Sequence, residues 1–438
     1  MKKICFITGW YSAPYFSALG RKLQSSMEVS FIAHDSYTHQ YLLQHRHKVY
    51  KRTQKYGISN YSYESDKNLV KMDAAFTSKG FGNYNFWFKY YSRKAKSFEK
   101  WLRKIWEQNT PDFVVIWNGM WHYEKISEKI AFEKNITTIF IENGYFPNTA
   151  HIDPVGINAK AEIIFRKDEE LAANYHEDEL MLFLEDMRDS FSELKRYSQV
   201  SELTNSLSFP RFIFFILELI IYDLPFIGVE FLSKMMILIK SKKDKDLLQS
   251  NGPLPSHYVF LPLQVTTDSQ LILNSPWIKS PHDFITQVVE VFNEIDPTIR
   301  VVIKEHPMED PDISFSDLSK EFPTIYWASS FSLEELIKNA DLIVNINSSV
   351  GFQSLLFEKS VVCLGDALYA RRGLAYSCSS KDDLIDICRR ALVNKPNMIL
   401  VGRFAKTLYE DYCVQYTRGF IQKNDIDAME ERIINFTR

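Results

Sequence analysis

Residues 342–364 read Leu-Ile-Val-Asn-Ile-Asn-Ser-Ser-Val-Gly-Phe-Gln-Ser-Leu-Leu-Phe-Glu-Lys-Ser-Val-Val-Cys-Leu. Leu342 to Asn345 is a short apolar run of strand type, Asn347-Ser348-Ser349 a turn, Val350 to Phe357 an apolar helix, and Val361 to Leu364 a second strand. Strand, helix and strand in so short a span form a βαβ unit, which places its strands parallel and needs cover on both faces of the sheet.

The same rhythm extends in both directions. Upstream lie strands at His257 to Pro262, Val301 to Lys304 and Ile325 to Trp327, with helices at Pro281 to Ile295 and Leu333 to Asn339. The first third repeats it, with strands at Ile4 to Ile7, Val29 to Ile32, Phe113 to Trp117 and Thr138 to Ile141 and a helix at Tyr15 to Leu23. The stretch from Ser241 to Pro253 is charged and turn-rich and reads as a linker, and Leu400 to Thr417 reads as helix. The expected fold is therefore α/β of GT-B type, two doubly wound parallel-sheet domains facing a central cleft, where such sheets bind ligands at their carboxyl ends. The expected division is 1–250 for the first domain, with a hydrophobic insertion near 209–245, then 251–400 for the second, and 401–438 for helices packing back on the first.

Composition excludes several classes. The chain has 438 residues, 45% hydrophobic and 24% charged, which is globular rather than disordered. Lys+Arg 52 against Asp+Glu 55 leaves −3, so no global field favours nucleic acid, and an anion site must be local. Five scattered cysteines without a Cys-x-x-Cys pair point away from a disulfide framework or a zinc site and towards a reducing, cytoplasmic compartment. The start, MKKICFITGW, reads as a first strand rather than a signal peptide, and no apolar run reaches the length of a spanning helix.

Chemistry-bearing residues cluster where strands end. Val301 to Pro307 closes a strand with Lys304, Glu305 and His306; alternation sends Lys304 and His306 to one side, where both can face a phosphate, His306 as charge stabiliser or proton donor. A solvated strand end with a satisfied histidine is the equal alternative. Asn347-Ser348-Ser349 before a helix offers N–H groups and hydroxyls to a phosphate, or is a plain N-cap. Asp268, in the run Leu263-Gln264-Val265-Thr266-Thr267-Asp268-Ser269-Gln270, is a nucleophile or base, or a turn residue. Glu142, in Phe140-Ile141-Glu142-Asn143-Gly144, is a carboxylate at a strand end and the natural partner of Asp268, one acting as nucleophile and the other as acid/base. Gly9 follows the first strand and is a candidate lining residue of the same cleft.

Six short motifs carry a resemblance: Glu142-Asn143-Gly144-Tyr145, Asp153-Pro154-Val155-Gly156-Ile157-Asn158-Ala159, Pro262-Leu263-Gln264 with Asp268-Ser269-Gln270, Lys304-Glu305-His306-Pro307, Asn347-Ser348-Ser349-Val350-Gly351 and Leu364-Gly365-Asp366-Ala367-Leu368-Tyr369. In this order they resemble bacterial capsule polysaccharide biosynthesis proteins, the β-Kdo transferases that build a lipid-linked oligo-Kdo linker. The resemblance implies an acceptor-side first domain, a CMP-sugar-binding second domain, and transfer of Kdo from CMP-Kdo with retention. It implies neither cofactor nor metal. Asp268 then corresponds to the nucleophile and Glu142 to the acid/base. His306, Lys304, Asn347, Ser348 and Ser349 correspond to the donor-phosphate site, with Gln264, Gln270 and Gly9 counted among the donor-binding residues.

The implied partners are the nucleotide sugar, a lipid-linked glycan or phospholipid acceptor, the inner face of the cytoplasmic membrane and other capsule-assembly proteins, but not nucleic acid. Two stretches suit a membrane surface, 209–245 and Phe86 to Trp106, whose aromatics alternate with lysines and arginines; buried helices are the alternative for the first. Transfer of another CMP-linked nonulosonic acid, a CDP-polyol phosphotransferase of teichoic-acid type and a non-catalytic assembly scaffold are the competing readings.

Overall fold

The computed structural model describes residues 1–50, 67–80, 82–192, 233, 236, 247–307, 309–310, 313–417 and 421–437. The expected insertion at 209–245 and the first part of the expected linker, 241–246, lie outside them, apart from residues 233 and 236.

In chain order the elements are β1 (Lys3–Thr8), α1 (Ala13–Leu23), β2 (Glu28–Ala33), α2 (Ser36–Gln44), β3 (Val49–Tyr50), α3 (Lys71–Ser78), α4 (Tyr84–Gln108), β4 (Phe113–Trp117), α5 (His122–Glu133), β5 (Thr137–Asn143), β6 (Thr149–Asp153) and α6 (Glu177–Ser192). There follow β7 (Tyr258–Pro262), α7 (Ser269–Asn274), α8 (Pro281–Ile295), β8 (Arg300–Lys304), α9 (Ser316–Glu321), β9 (Ile325–Trp327), α10 (Leu333–Asn339), β10 (Leu342–Asn345), α11 (Ser349–Leu356), β11 (Val361–Cys363), β12 (Tyr376–Ser377), α12 (Leu384–Val393) and α13 (Met398–Thr407). The chain closes with β13 (Cys413–Gln415) and α14 (Lys423–Thr437).

The described residues form two compact α/β units. The first, drawn from 1–162 and from Tyr412 onward, is built on a sheet of order β13-β6-β5-β4-β1-β2-β3. Its strands from β5 to β3 are parallel, and at one edge β6 runs antiparallel to both of its neighbours, β5 and β13. β4, Phe-Val-Val-Ile-Trp, is buried at every position because helices cover both faces. The second unit, residues 163–192 and 247–411, holds an all-parallel sheet of order β12-β11-β10-β7-β8-β9. β7 and β10 are likewise wholly buried. α8 begins where Ser280 caps it, its Oγ accepting from the Asp283 N–H at 3.1 Å with Pro281 in the first turn, and it lays Phe284, Ile285, Val288, Val289 and Phe292 on the sheet.

Each unit is thus a doubly wound parallel-sheet domain of the expected type, and each sheet order reverses once. In the first sheet the reversal falls between β1 and β4. In the second it falls between β7 and β10.

The boundaries differ from cuts at 250 and 400. α6 belongs to the second unit because it packs on α13, where Gly402 brings the backbones so close that a Cβ would stand 2.9 Å from Leu180 Cβ. Residues 248–252, expected as linker, are tied to β9: the Ser250 N–H donates to the Trp327 carbonyl at 2.9 Å and the Tyr326 hydroxyl to the Gly252 carbonyl at 2.7 Å. The expected helix over Leu400 to Thr417 ends early. Cys413–Gln415 is instead a strand pairing with β6, its Cys413 and Val414 buried. From there the chain stays with the first unit, α14 packing on α1 with Ile426, Met429 and Ile433 in that unit's core.

Candidate functional site

In the second unit, the loops after β7 and β10 meet at the reversal of strand order. Gln264 follows β7 and is buried; its Nε2 donates to Asn347 Oδ1 at 3.1 Å and to Asp268 Oδ2 at 3.3 Å. In return the Asn347 N–H donates to Gln264 Oε1 at 3.3 Å. Asn347 Nδ2 reaches on to the carbonyls of Gln270 and Asn274 at 3.0 and 3.1 Å. Asp268 caps α7, its Oδ1 accepting from the Gln270 N–H at 2.8 Å. The structure therefore brings Gln264, Asp268, Gln270 and Asn347 into one hydrogen-bonded group. Each oxygen of Asp268 accepts a bond from within the group, so the carboxylate is fixed in direction while still offering lone pairs outward.

Asn345, Tyr369 and Glu309 support this group and were not singled out from the sequence. Asn345 Oδ1 accepts from the Ser348 N–H at 2.9 Å and from the Tyr369 hydroxyl at 3.0 Å, and that hydroxyl also contacts the Ser348 carbonyl. Gly351 is required there, since a Cβ would stand 2.2 Å from the Tyr369 hydroxyl. Ser348 caps α11, its Oγ accepting from the Val350 N–H at 3.3 Å; Ser348 is buried and Ser349 exposed. Glu309 Oε2 accepts from the Thr266 N–H at 2.8 Å and so holds the loop that carries Asp268. The signal for Tyr369 was its place in the Leu364 to Tyr369 motif. Glu309 had none.

His306 and Lys304 take different roles. Burial holds the His306 imidazole below its ordinary pKa, against the pull of the Asp268 and Glu309 carboxylates. His306 thus sits within the electrostatic reach of Asp268. Lys304 is tied elsewhere, its Nζ donating to the carbonyls of Ser329 and Phe331 at 2.7 and 2.8 Å. The side shared by Lys304 and His306, expected from alternation, has a physical limit here: the ammonium is drawn onto the loop after β9. Glu305 between them is buried, Oε1 accepting from the Leu248 N–H at 2.7 Å.

In the first unit, Glu142 is the last residue but one of β5, with Oε1 accepting both from the Asn143 N–H at 2.8 Å and from Asn143 Nδ2 at 3.1 Å. Asn143 thereby fixes the carboxylate. A second acid stands near it: burial raises Glu124 well above the carboxylate range, and the charges of Glu142 and Asp73 push the same way. Glu124 Oε2 accepts from the Met120 and Trp121 N–H groups at 3.0 and 3.2 Å, in the turn after β4. Next to it, Asp73 Oδ1 and His122 Nδ1 lie 2.6 Å apart, both side chains buried. Gly9, after β1, lies against this cluster; a Cβ there would stand 3.0 Å from the Tyr123 hydroxyl. Gly9 and the Asn118 to Glu124 turn therefore flank the reversal between β1 and β4, where a doubly wound sheet binds ligands. The Asp153 motif has a structural task instead: fully buried, Asp153 accepts from the N–H groups of Val155, Gly156 and Glu162 at 2.8 to 2.9 Å.

Comparison with known proteins follows the same residues. Protein FixF of Sinorhizobium fredii (strain NBRC 101917 / NGR234) is 29% identical over 256 residues, which are 58% of this chain and 49% of FixF. The chain thus matches about half the length of that relative. The capsule polysaccharide export protein KpsS of Escherichia coli is 24% identical over 311 residues, 65% of this chain and 75% of KpsS. Among solved structures, the β-Kdo 2,7 transferase of KpsC from Thermosulfurimonas dismutans is similar with a TM-score of 0.39 and 17% identity, over 77% of this chain and 90% of that one. The sequence model of the family described as capsule polysaccharide biosynthesis protein matches residues 112–418, a span that holds Glu142, Asp268, His306 and Asn347. By that match, which takes in well over half of the chain, the protein belongs to the capsule polysaccharide biosynthesis protein family.

Proposed function

We propose that the protein is a retaining glycosyltransferase that moves β-Kdo from CMP-Kdo to a lipid-linked or Kdo-terminated acceptor at the inner face of the cytoplasmic membrane, without a metal. The observation that carries this reading is the Gln264–Asp268–Asn347 group at the strand-order reversal of the second sheet, a carboxylate aimed and held where such a sheet receives its ligand.

C2 of Kdo is a ketal carbon, and its bond to the CMP phosphate breaks through an oxocarbenium-like state that a nearby carboxylate stabilises. In the first step an Asp268 oxygen forms a bond to C2 as CMP leaves with the bonding electron pair. His306, close enough to feel the Asp268 charge, donates an N–H to the departing phosphate, and the hydroxyls of Ser348 and of the exposed Ser349 donate to it as well. In the second step Glu142 takes the proton of the acceptor hydroxyl, whose oxygen bonds to C2 while the Asp268 ester bond breaks. Two displacements at C2 leave the β configuration of the donor in the product. Asn143, by donating twice to Glu142 Oε1, holds the direction of the carboxylate that acts as the base.

The test is incubation of the purified protein with CMP-Kdo and a Kdo-terminated acceptor, followed by CMP release and product analysis. The expected result is a β-Kdo product, abolished in Asp268→Ala, and a Kdo adduct on Asp268 detected by mass spectrometry in Glu142→Gln. Turnover with CDP-glycerol and none with CMP-Kdo would reject the reading.

A further inference from the structure

α4 is a 25-residue helix with two opposed faces. One face is buried and carries Trp87, Tyr91, Phe98, Trp101, Leu102 and Trp106. The other is cationic. Lys89, Arg93, Lys96, Lys100 and Lys104 are all exposed or at the exposed edge, and at 3.6 residues per turn they fall within an arc of about 80°, opposite the buried face. The stripe runs for about 22 Å along the helix at 1.5 Å per residue. Phe86, 40% exposed, continues the same arc one turn before Lys89. Glu107 ends it. The chain as a whole is slightly acidic, at −3, so this stripe is a local concentration of charge rather than part of a general excess.

A helix of this length is long enough to cross a bilayer, but among the described residues none is apolar enough to do so. A helix with a packed apolar face, a row of cations outward and an exposed ring at one end is suited to lie flat on an anionic surface. Its lysines then reach headgroups and its phenylalanine enters the acyl boundary. Nucleic acid would use the cations but gives the exposed Phe86, set on the same line, no apolar phase to enter.

We infer that the outward face of α4 is a docking surface for an anionic lipid bilayer. This deepens the reading of a lipid-linked acceptor and rests on it for its purpose, while the physical binding stands on the helix alone.

The experiment is co-sedimentation of the full-length protein, without donor, with vesicles of phosphatidylcholine and with vesicles of phosphatidylcholine mixed with phosphatidylglycerol. Binding is expected to the anionic vesicles only and to weaken as salt is added. Near such a surface each lysine contributes about five-fold in partitioning, so the triple variant Lys89→Glu/Lys96→Glu/Lys100→Glu should lose about a hundred-fold or more. Lys96→Glu alone should lose about five-fold. Phe86→Ser should weaken binding while leaving its salt dependence in place. A control with the same change of charge, Lys279→Glu/Lys320→Glu/Lys381→Glu, alters exposed residues of the second unit and should bind as the parent does. Equal binding to neutral vesicles, or equal loss in the control, would overturn the inference. So would capture of a single-stranded oligonucleotide, lost in the triple variant, in place of vesicles. Vesicle binding without CMP release would reject the transferase reading and keep the surface; CMP release without vesicle binding would do the reverse.

Discussion

Gln264 and Asn347 are joined by two reciprocal hydrogen bonds, Gln264 Nε2 to Asn347 Oδ1 at 3.1 Å and the Asn347 N–H to Gln264 Oε1 at 3.3 Å, so that the loops after β7 and β10 are clasped through one side-chain pair and one backbone amide. Because the same Gln264 Nε2 reaches Asp268 at 3.3 Å, the clasp also sets the direction of the proposed nucleophile. Gln264→Leu keeps the volume and removes all three bonds. The expected result is a fall in kcat of roughly 10- to 100-fold with a smaller change in KM for the donor, since misalignment of a reacting group costs rate more than binding. Steady-state kinetics of CMP release decide it; unchanged kcat would mean that Asp268 is aimed by something else.

Gly351→Ala should cost about 1–3 kcal/mol, the usual penalty of overpacking. The new methyl would meet the Tyr369 hydroxyl at 2.2 Å and Asn345 Nδ2 at 2.5 Å, both in the buried support of the Ser348 turn. Denaturant unfolding measures the loss. A wild-type midpoint would show that Tyr369 does not stand over the start of α11.

Glu124 gives a pH dependence of defined sign. Its folded pKa is raised, chiefly by burial, so the native state holds a proton that the unfolded chain releases above its ordinary value of 4.5. Stability from this group is therefore full at pH values below 4.5 and declines as pH rises towards the folded pKa. Glu124→Gln keeps an oxygen for the Met120 and Trp121 N–H groups and has no proton to lose. Thermal melts at pH 5 and pH 8 should differ less in the variant than in the parent. A larger difference would count against a protonated Glu124.

His47 acts in the opposite sense. Burial first, then the charges of Arg21 and His45, lower its pKa from 6.5 to about 4. Between these values the unfolded chain binds the proton and the folded chain does not, so stability falls as pH drops from 6.5 towards about 4. His47→Gln should flatten that part of the acid limb, read by unfolding at pH 7, 6 and 5. An unaltered slope would assign the acid sensitivity to other groups.

The two sheets were legible because their strands are short, apolar on both faces and regularly spaced. Leu342 to Asn345 and Phe113 to Trp117 lie where composition alone put them. Cys413–Gln415 was not legible: three residues between a helix and a turn carry no period, and only pairing with Thr149 to His151 makes them a strand. Of the candidate residues, the motif order pointed to Asp268, Asn347 and Glu142, but not to the bonds by which Gln264 ties Asp268 to Asn347 or to those by which Asn143 holds Glu142. Lys304 shows why. Alternation along a strand gives the side on which a chain leaves, but a lysine has four more rotatable bonds, and the carbonyls of Ser329 and Phe331 decide where its ammonium ends. Asn345 looked like the last residue of a strand, and its work in holding Ser348 and Tyr369 depends on a tyrosine 24 residues further on.

The pairing of β13 with β6 has a consequence for the order of events during synthesis. The first sheet is begun by Lys3–Thr8 and finished by Cys413–Gln415, while Ile426, Met429 and Ile433 complete its core. As the ribosome delivers the chain, β6 must wait as an open edge, and α1 with an uncovered flank, until some 260 further residues have emerged. The second unit has all its strands by Ser377 and can fold first. The amino-terminal unit is therefore the later of the two to mature, and a nascent chain stalled before Cys413 would present a sticky β edge.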